Sequence, residues 1–231
     1  MAHRRLEHPK HGPVHVFLPE KWDPAEGVTI FVHGFDLDGK AKPWYIDHAQ
    51  AEFALGEKLV STMSRYALVA IESKTGSGKP IYWKSLDELL TFLEANGVNT
   101  AADVHAIGHS GAFANIALWL PSENLSHVTL LDATYGQFSA YASWALKEGN
   151  ILDVAVNKGT NTHKNSWSII GKLPSYHTWQ KIPDHEIGHI DLCKIGYMPV
   201  TYQHMKWVTT HEPMQFFLTR AQMIRDLENH E

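Results

Sequence analysis

Short runs of β-branched and aliphatic residues alternate along the chain with longer stretches whose apolar positions recur every three or four residues. Val28–Val32 is a continuous apolar run closed by His33-Gly34, and Ala67–Ile71 is a second. Runs of this length, bounded by turn residues, read as buried strands. Between them, residues 47–64 carry Ala49, Phe53, Leu55, Leu59 and Val60 at helical spacing. Ser85 precedes a helical pattern with Glu88 three positions on, a capping-box spacing, and Gly97 stands where that helix should stop.

The rhythm continues: strand 103–107, helix 111–120 stopped by Pro121, strand 128–131, helix 137–148 ended by Gly149, and strand 151–156. The sequence predicts a last short strand at 206–210 and a helix running on from Pro213 toward Leu227. Strands alternating with helices imply crossover connections, hence a mostly parallel sheet with helices on both faces, an α/β fold. A single domain spanning 1–231 is expected. The stretch 159–205 holds Trp167, Tyr176, Trp179, Tyr197 and Tyr202 but no clean strand–helix unit, and is expected to form a small cap over a site.

Composition narrows the function. The 231 residues, 44% hydrophobic and 19% charged, suit one sizeable core. A net charge of −5 without blocks of like charge argues against nucleic-acid binding. The lone Cys193 excludes an internal disulfide and any cysteine-rich zinc site. No apolar run is long enough to span a membrane, and the polar start lacks the apolar stretch of a signal peptide, so a cytoplasmic location is expected. Histidine is abundant, at 16 residues.

The most informative residues are Gly108-His109-Ser110-Gly111-Ala112. Small residues two positions either side of a serine permit a tight strand-to-helix turn that lifts the hydroxyl above the sheet, and this pentapeptide sits between a predicted strand and a predicted helix. Serine needs a base, and the base an orienting acid, both from loops at the carboxyl ends of strands. Asp132 follows the strand after the elbow and is the candidate acid, with Asp153 as competitor. His211, between the predicted terminal strand and the final helix, is the candidate base, ahead of His204 and His163. Backbone N–H groups of Gly111 and Phe35 are the candidate oxyanion donors. Gly34 lets the chain turn close to substrate, His33 braces that loop, and His109, Trp44 and Tyr45 complete the candidate pocket.

With His33-Gly34-Phe35 after a strand, the Gly-His-Ser-Gly-Ala elbow, Leu130-Leu131-Asp132-Ala133 and a late histidine, the sequence resembles the α/β-hydrolase superfamily over residues 28–227. The resemblance implies a cofactor-independent serine hydrolase that cleaves a small acyl substrate, a carboxylic ester first of all, through an acyl-enzyme. A peptidase, amidase or thioesterase on the same residues is the alternative, and a non-catalytic binding protein of this fold is another. Two departures stand out: the elbow ends in Ala112 rather than glycine, and the acid lies one strand earlier than is commonest.

Two further motifs are weighed and set aside. His185-Glu186-Ile187-Gly188-His189 has the spacing of a zinc-binding helix, but Gly188 and the preceding Pro183 make that helix poor, and no metal is expected. Gly76-Ser77-Gly78-Lys79 suggests a phosphate loop, but Ser73 and Pro80 stand where a glycine and a Ser/Thr are required.

Overall fold

The computed structural model describes residues 1–23, 27–34, 54–62, 65–73, 81, 83–100, 103–181 and 193–228. Among them runs a nine-stranded sheet in the order β1-β2-β4-β3-β5-β6-β7-β9-β8. Its strands are β1 (Ala2–His8), β2 (Gly12–Leu18), β3 (Val28–Val32), β4 (Ala67–Ile71), β5 (Val104–His109), β6 (Leu125–Leu131), β7 (Ile151–Asn157), β8 (His177–Thr178) and β9 (Ile195–Val200). From β4 through β8 the pairing is parallel; the antiparallel pairings are those of β2, with β1 on one side and β4 on the other. The expected α/β fold is therefore present, with an antiparallel hairpin added at one edge.

The central strands are apolar because both faces are covered. On β3, Ile30 and Val32 point into one layer with the helices α2 (Leu86–Ala95), α3 (Phe113–Trp119) and α4 (Phe138–Ala145). Phe31 points into the other, beside α1 (Leu55–Ser61), α6 (Lys206–Thr209) and α7 (His211–Glu228). Each such fully buried side chain stabilises the fold by about 1.5–3 kcal/mol relative to exposure. The predicted cap lands differently. Residues 161–170 form α5 (Asn161–Ile170), whose Ile169 and Ile170 join the first layer, and residues 195–200 are the sheet strand β9.

β9 contains Gly196 and Pro199, which disguise it in the sequence. Trp179 donates its backbone N–H to the Tyr197 carbonyl, so Tyr197, and with it Pro199 two residues on, faces the β8 side of the strand. β8 pairs only with Gly196 and Tyr197, so the N–H that proline lacks would have pointed at an open edge. The predicted last strand at 206–210 is instead α6, followed directly by α7 with Pro213 in its first turn.

Helix ends follow the sequence chemistry. The Ser85 hydroxyl accepts from the Glu88 N–H at the start of α2, and Gly97 closes that helix at φ +73°. Among the described residues no helix is long and apolar enough to cross a membrane.

Candidate active site

β5 ends in His109, and the chain turns through Ser110, at φ +54°, into a short 3-10 turn continuous with α3. A left-handed backbone at a non-glycine residue costs of order 1–3 kcal/mol, and such strain is characteristic of a side chain being held out for chemistry. The small residues are needed here. A Cβ at Gly108 would overlap Ile116 Cδ1 on α3 and stand 3.2 Å from the Ala112 methyl. Ala112 thus already fills the space left at that point, which explains why alanine can replace glycine at the end of the elbow.

The loop after β3 presses against this turn. A Cβ at Gly34 would lie 2.7 Å from Ser110 Cβ, 3.0 Å from the His109 carbonyl and 3.2 Å from the Gly111 nitrogen. His33 is buried and donates from Nδ1 to the Gly34 carbonyl at 2.6 Å. The structure thus brings the Gly111 N–H beside the His33-Gly34 loop. Phe35, Trp44 and Tyr45 lie outside the described residues, as do 76–79 and 185–189.

Asp132 follows β6 with φ +45°, and its carboxylate is buried. One oxygen accepts from the Thr162 hydroxyl on α5 and from the Asn157 N–H at 3.3 Å. The other accepts from Nδ1 of His204 at 2.6 Å. Burial pushes the Asp132 pKa up, but the hydrogen bonds from His204, Thr162 and Asn157 outweigh it and hold the group below its usual range. It is the charged form that these donors favour.

His204, not His211, is therefore the histidine paired with the acid. His211 is the exposed first residue of α7, beyond the loop that carries His204. The misassignment follows from reading 206–210 as a strand: with β9 as the terminal strand, the loop at its carboxyl end is 201–205, and His204 lies in it. The loop is well anchored. Buried Trp207 packs against Tyr202, whose hydroxyl bonds Thr210, and the Lys58 ammonium from α1 donates to the Val208 carbonyl. Burial lowers the Lys58 pKa to about 8, against the raising influence of Glu212 and Glu57.

His109 links the two halves of the site. It is buried, donates from Nε2 to the His204 carbonyl at 3.0 Å, and stacks its ring 4.5 Å from the His204 ring. Burial, aided by the nearby His204 ring, drops its pKa to about 3, so it stays neutral through the ordinary pH range. Its role is to seat the loop that carries His204.

Asp153, the competing acid, serves elsewhere. It is fully buried, accepts from His127 at 2.8 Å and pairs with buried Arg220 at 3.1 Å beneath α7. His163 sits on α5, where its Nδ1 accepts from the Gly159 N–H at 3.2 Å. Sequence reasoning also missed Thr162 and Tyr135. Tyr135, three residues past Asp132, leans its ring on Phe113 at the start of α3, with centroids 6.0 Å apart. Neither residue belongs to a motif; each is recognisable only once β6 and α5 are placed.

Comparison with solved structures agrees with this architecture. A serine-to-alanine variant of the feruloyl esterase module from Clostridium thermocellum, complexed with sinapinate, superposes with a TM-score of 0.59 at 13% identity, over 95% of this chain and 89% of that one. Carboxyl esterase 2 from the fungus Tuber melanosporum gives 0.57 at 12% identity, over 96% and 86%. An alpha-beta serine hydrolase homologue from Coxiella burnetii gives 0.53 at 11% identity, over 98% and 97%. No family model and no curated protein sequence matches the chain. The fold is that of the α/β-hydrolases.

Proposed function

We propose that the protein is a serine hydrolase that cleaves carboxylic esters through an acyl-enzyme, with Ser110 as nucleophile, His204 as base and Asp132 as its orienting acid. The observation that carries this reading is the 2.6 Å bond from His204 Nδ1 to Asp132 at the strand next to a strained Ser110 elbow. A histidine whose Nδ1–H is committed to a carboxylate presents Nε2 as the proton acceptor. The esterase activities named for structures of the same fold support an ester as the first substrate class to test.

In this scheme Ser110 Oγ forms a bond to the acyl carbon while its proton passes to His204 Nε2. Charge moves onto the former carbonyl oxygen, where the Gly111 N–H would be a preorganised donor; the Phe35 N–H, the second candidate, lies outside the described residues. His204 then returns the proton to the leaving oxygen, and water repeats the sequence on the acyl-enzyme. Asp132 stays ionised and stabilises the imidazolium.

The test is labelling by a fluorophosphonate probe, which reports an activated serine without assuming a substrate. Wild-type protein is expected to gain one adduct on the peptide containing Ser110, and Ser110→Ala none. Folded wild-type protein that resists millimolar probe overturns the reading. A panel of p-nitrophenyl esters with matching anilides separates ester from amide cleavage.

A further inference from the structure

The carboxylate of Asp132 is held from two directions, and the histidine accounts for one of them. His204 meets one oxygen; the other faces the first turn of α5, where buried Thr162 donates its hydroxyl. The two segments are also pinned to each other. The Thr134 hydroxyl donates to the Thr162 carbonyl at 2.7 Å, and the Asn165 side-chain amide donates to the Thr134 carbonyl at 3.0 Å. Residues 132–134 and 162–165 therefore move together, which keeps the Thr162 hydroxyl in place against the carboxylate.

Counting protons gives this contact a direction. An ionised carboxylate can only accept, so the single hydroxyl proton of Thr162 points at Asp132. The Thr160 and Thr162 hydroxyl oxygens lie 2.7 Å apart, and one of them must donate across that gap. With the Thr162 proton committed, the donor is Thr160, which shares the same proton with the Asn157 carbonyl at 2.6 Å. That carbonyl has a further donor in the Thr160 N–H at 3.2 Å. Thr160 in turn caps α5, its oxygen accepting from the His163 N–H at 3.4 Å. The result is one file of donors running from the His163 N–H through Thr160 and Thr162 to Asp132. Its far end is the amide end of a ten-residue helix, where the backbone dipole favours negative charge. Hydrogen bonds in such a file strengthen one another, by roughly 10–30% each.

We propose that Thr162 is a positioning residue for catalysis: backed by Thr160, its hydroxyl fixes the rotation of the Asp132 carboxylate, so that the oxygen facing His204 stays in line with Nδ1. This rests on the serine-hydrolase reading and deepens it, carrying the machinery one step beyond the three residues named there. Without the Thr162 proton, the oxygen turned away from His204 keeps only the Asn157 N–H at 3.3 Å, and the carboxylate is free to turn. The imidazolium that forms as Ser110 gives up its proton then loses alignment with its counter-charge. Thr162 itself is buried and offers no surface to a substrate, so the loss falls on kcat rather than KM.

The experiment compares Thr162→Val, which keeps the shape and removes the hydroxyl, with Thr162→Ser, which keeps the hydroxyl, on a p-nitrophenyl ester. The valine variant is expected to lose about 10- to 100-fold in kcat at nearly constant KM, the scale of a misplaced catalytic group and below the roughly 10⁴-fold of disabling a triad acid. Serine is expected to restore kcat to within about threefold of wild type. A second readout needs no substrate: the proton between His204 Nδ1 and Asp132 gives a far-downfield NMR signal, which should shift or broaden in Thr162→Val and return in Thr162→Ser. If the valine variant does not fold, Thr160→Val removes the hydroxyl behind it, and a several-fold fall in kcat with a displaced signal is expected. Unchanged kcat and signal in the folded valine variant, or in Thr160→Val in its place, overturns the proposal, as does a serine variant as impaired as the valine one. A wild-type protein that resists the fluorophosphonate removes instead the serine-hydrolase reading, while the NMR comparison still decides whether Thr162 aligns the pair.

Discussion

Substituting Gly34 by alanine tests how closely the oxyanion loop is fitted to the nucleophile. The new methyl would lie 2.7 Å from Ser110 Cβ, 3.0 Å from the His109 carbonyl and 3.2 Å from the Gly111 nitrogen. None of these is the end of a flexible side chain: all three belong to the backbone or Cβ of the elbow, whose conformation is already strained. Two carbons pack comfortably at about 3.5–4.0 Å, so the loop or the elbow must yield by roughly 1 Å. A displacement of about 1 Å in the reacting geometry can cost 10²-fold in rate, and loss of one oxyanion donor costs about 10²–10³-fold. The expected fall in kcat is therefore about 10²-fold or more, with a stability loss of about 1–3 kcal/mol from overpacking. Steady-state kinetics on a p-nitrophenyl ester, paired with a thermal melt, separates the two effects. An alanine variant that folds normally and keeps kcat within about threefold would refute the close approach, because the strain would then have no consequence for the chemistry.

Two more outcomes follow from the same geometry. Changing His204 to alanine should lower turnover by several orders of magnitude and His211→Ala should leave it nearly intact, as parallel kinetics on the two variants will show; the reverse ranking would return the base to His211. Burial holds the pKa values of His105, His109 and His127 below the 6.5 of an unfolded histidine. Between 6.5 and those folded values the unfolded chain binds more protons, so stability is full above about pH 6.5 and falls as the pH drops. Asp132 and Asp153, both lowered from 3.8, add acid sensitivity only below about that pH. Denaturant melts at pH 7.5 and pH 5 should differ by about 2 kcal/mol for each histidine that stays neutral at the lower pH, and equal midpoints would show that the three are not buried as described.

What was legible in the sequence is what short-range chemistry dictates. The β3 and β4 boundaries, the Ser85 cap and the elbow at Ser110 follow from apolar runs bounded by turn residues. Asp132 was legible because a carboxylate directly after an apolar strand needs a partner. The hairpin of β1 and β2 was hidden by His3, Arg4, Arg5 and His15, since an edge pair needs no continuous apolar run. β9 is disguised by Gly196 and Pro199: the glycine leaves room for Asp153 and the Trp179 ring, and the proline is tolerated because β8 pairs no further than Tyr197, both facts of tertiary structure. The position of the base depends on it, since His204 belongs to the loop at the carboxyl end of β9. Histidine abundance is uninformative for a related reason. His11, His15, His33, His105, His109 and His127 are all buried, and His105 stacks on His127 between adjacent strands with centroids 4.0 Å apart. The chain uses imidazole as an interior polar side chain, and composition cannot distinguish that use from metal binding or proton transfer.

The strand order also bears on how the molecule comes into being. Gly34, Ser110 and Asp132 lie at the ends of β3, β5 and β6, which neighbour one another in the middle of the sheet and are all complete by residue 132. The histidine that pairs with Asp132 arrives more than seventy residues later, on the loop after β9, with a single two-residue strand beyond it. A chain that folds from its N-terminus as it is made would carry its serine without a base until that last margin of the sheet closes. On the proposed mechanism, reactivity is thereby tied to completeness: an unfinished or margin-frayed molecule would not present an activated hydroxyl to its surroundings.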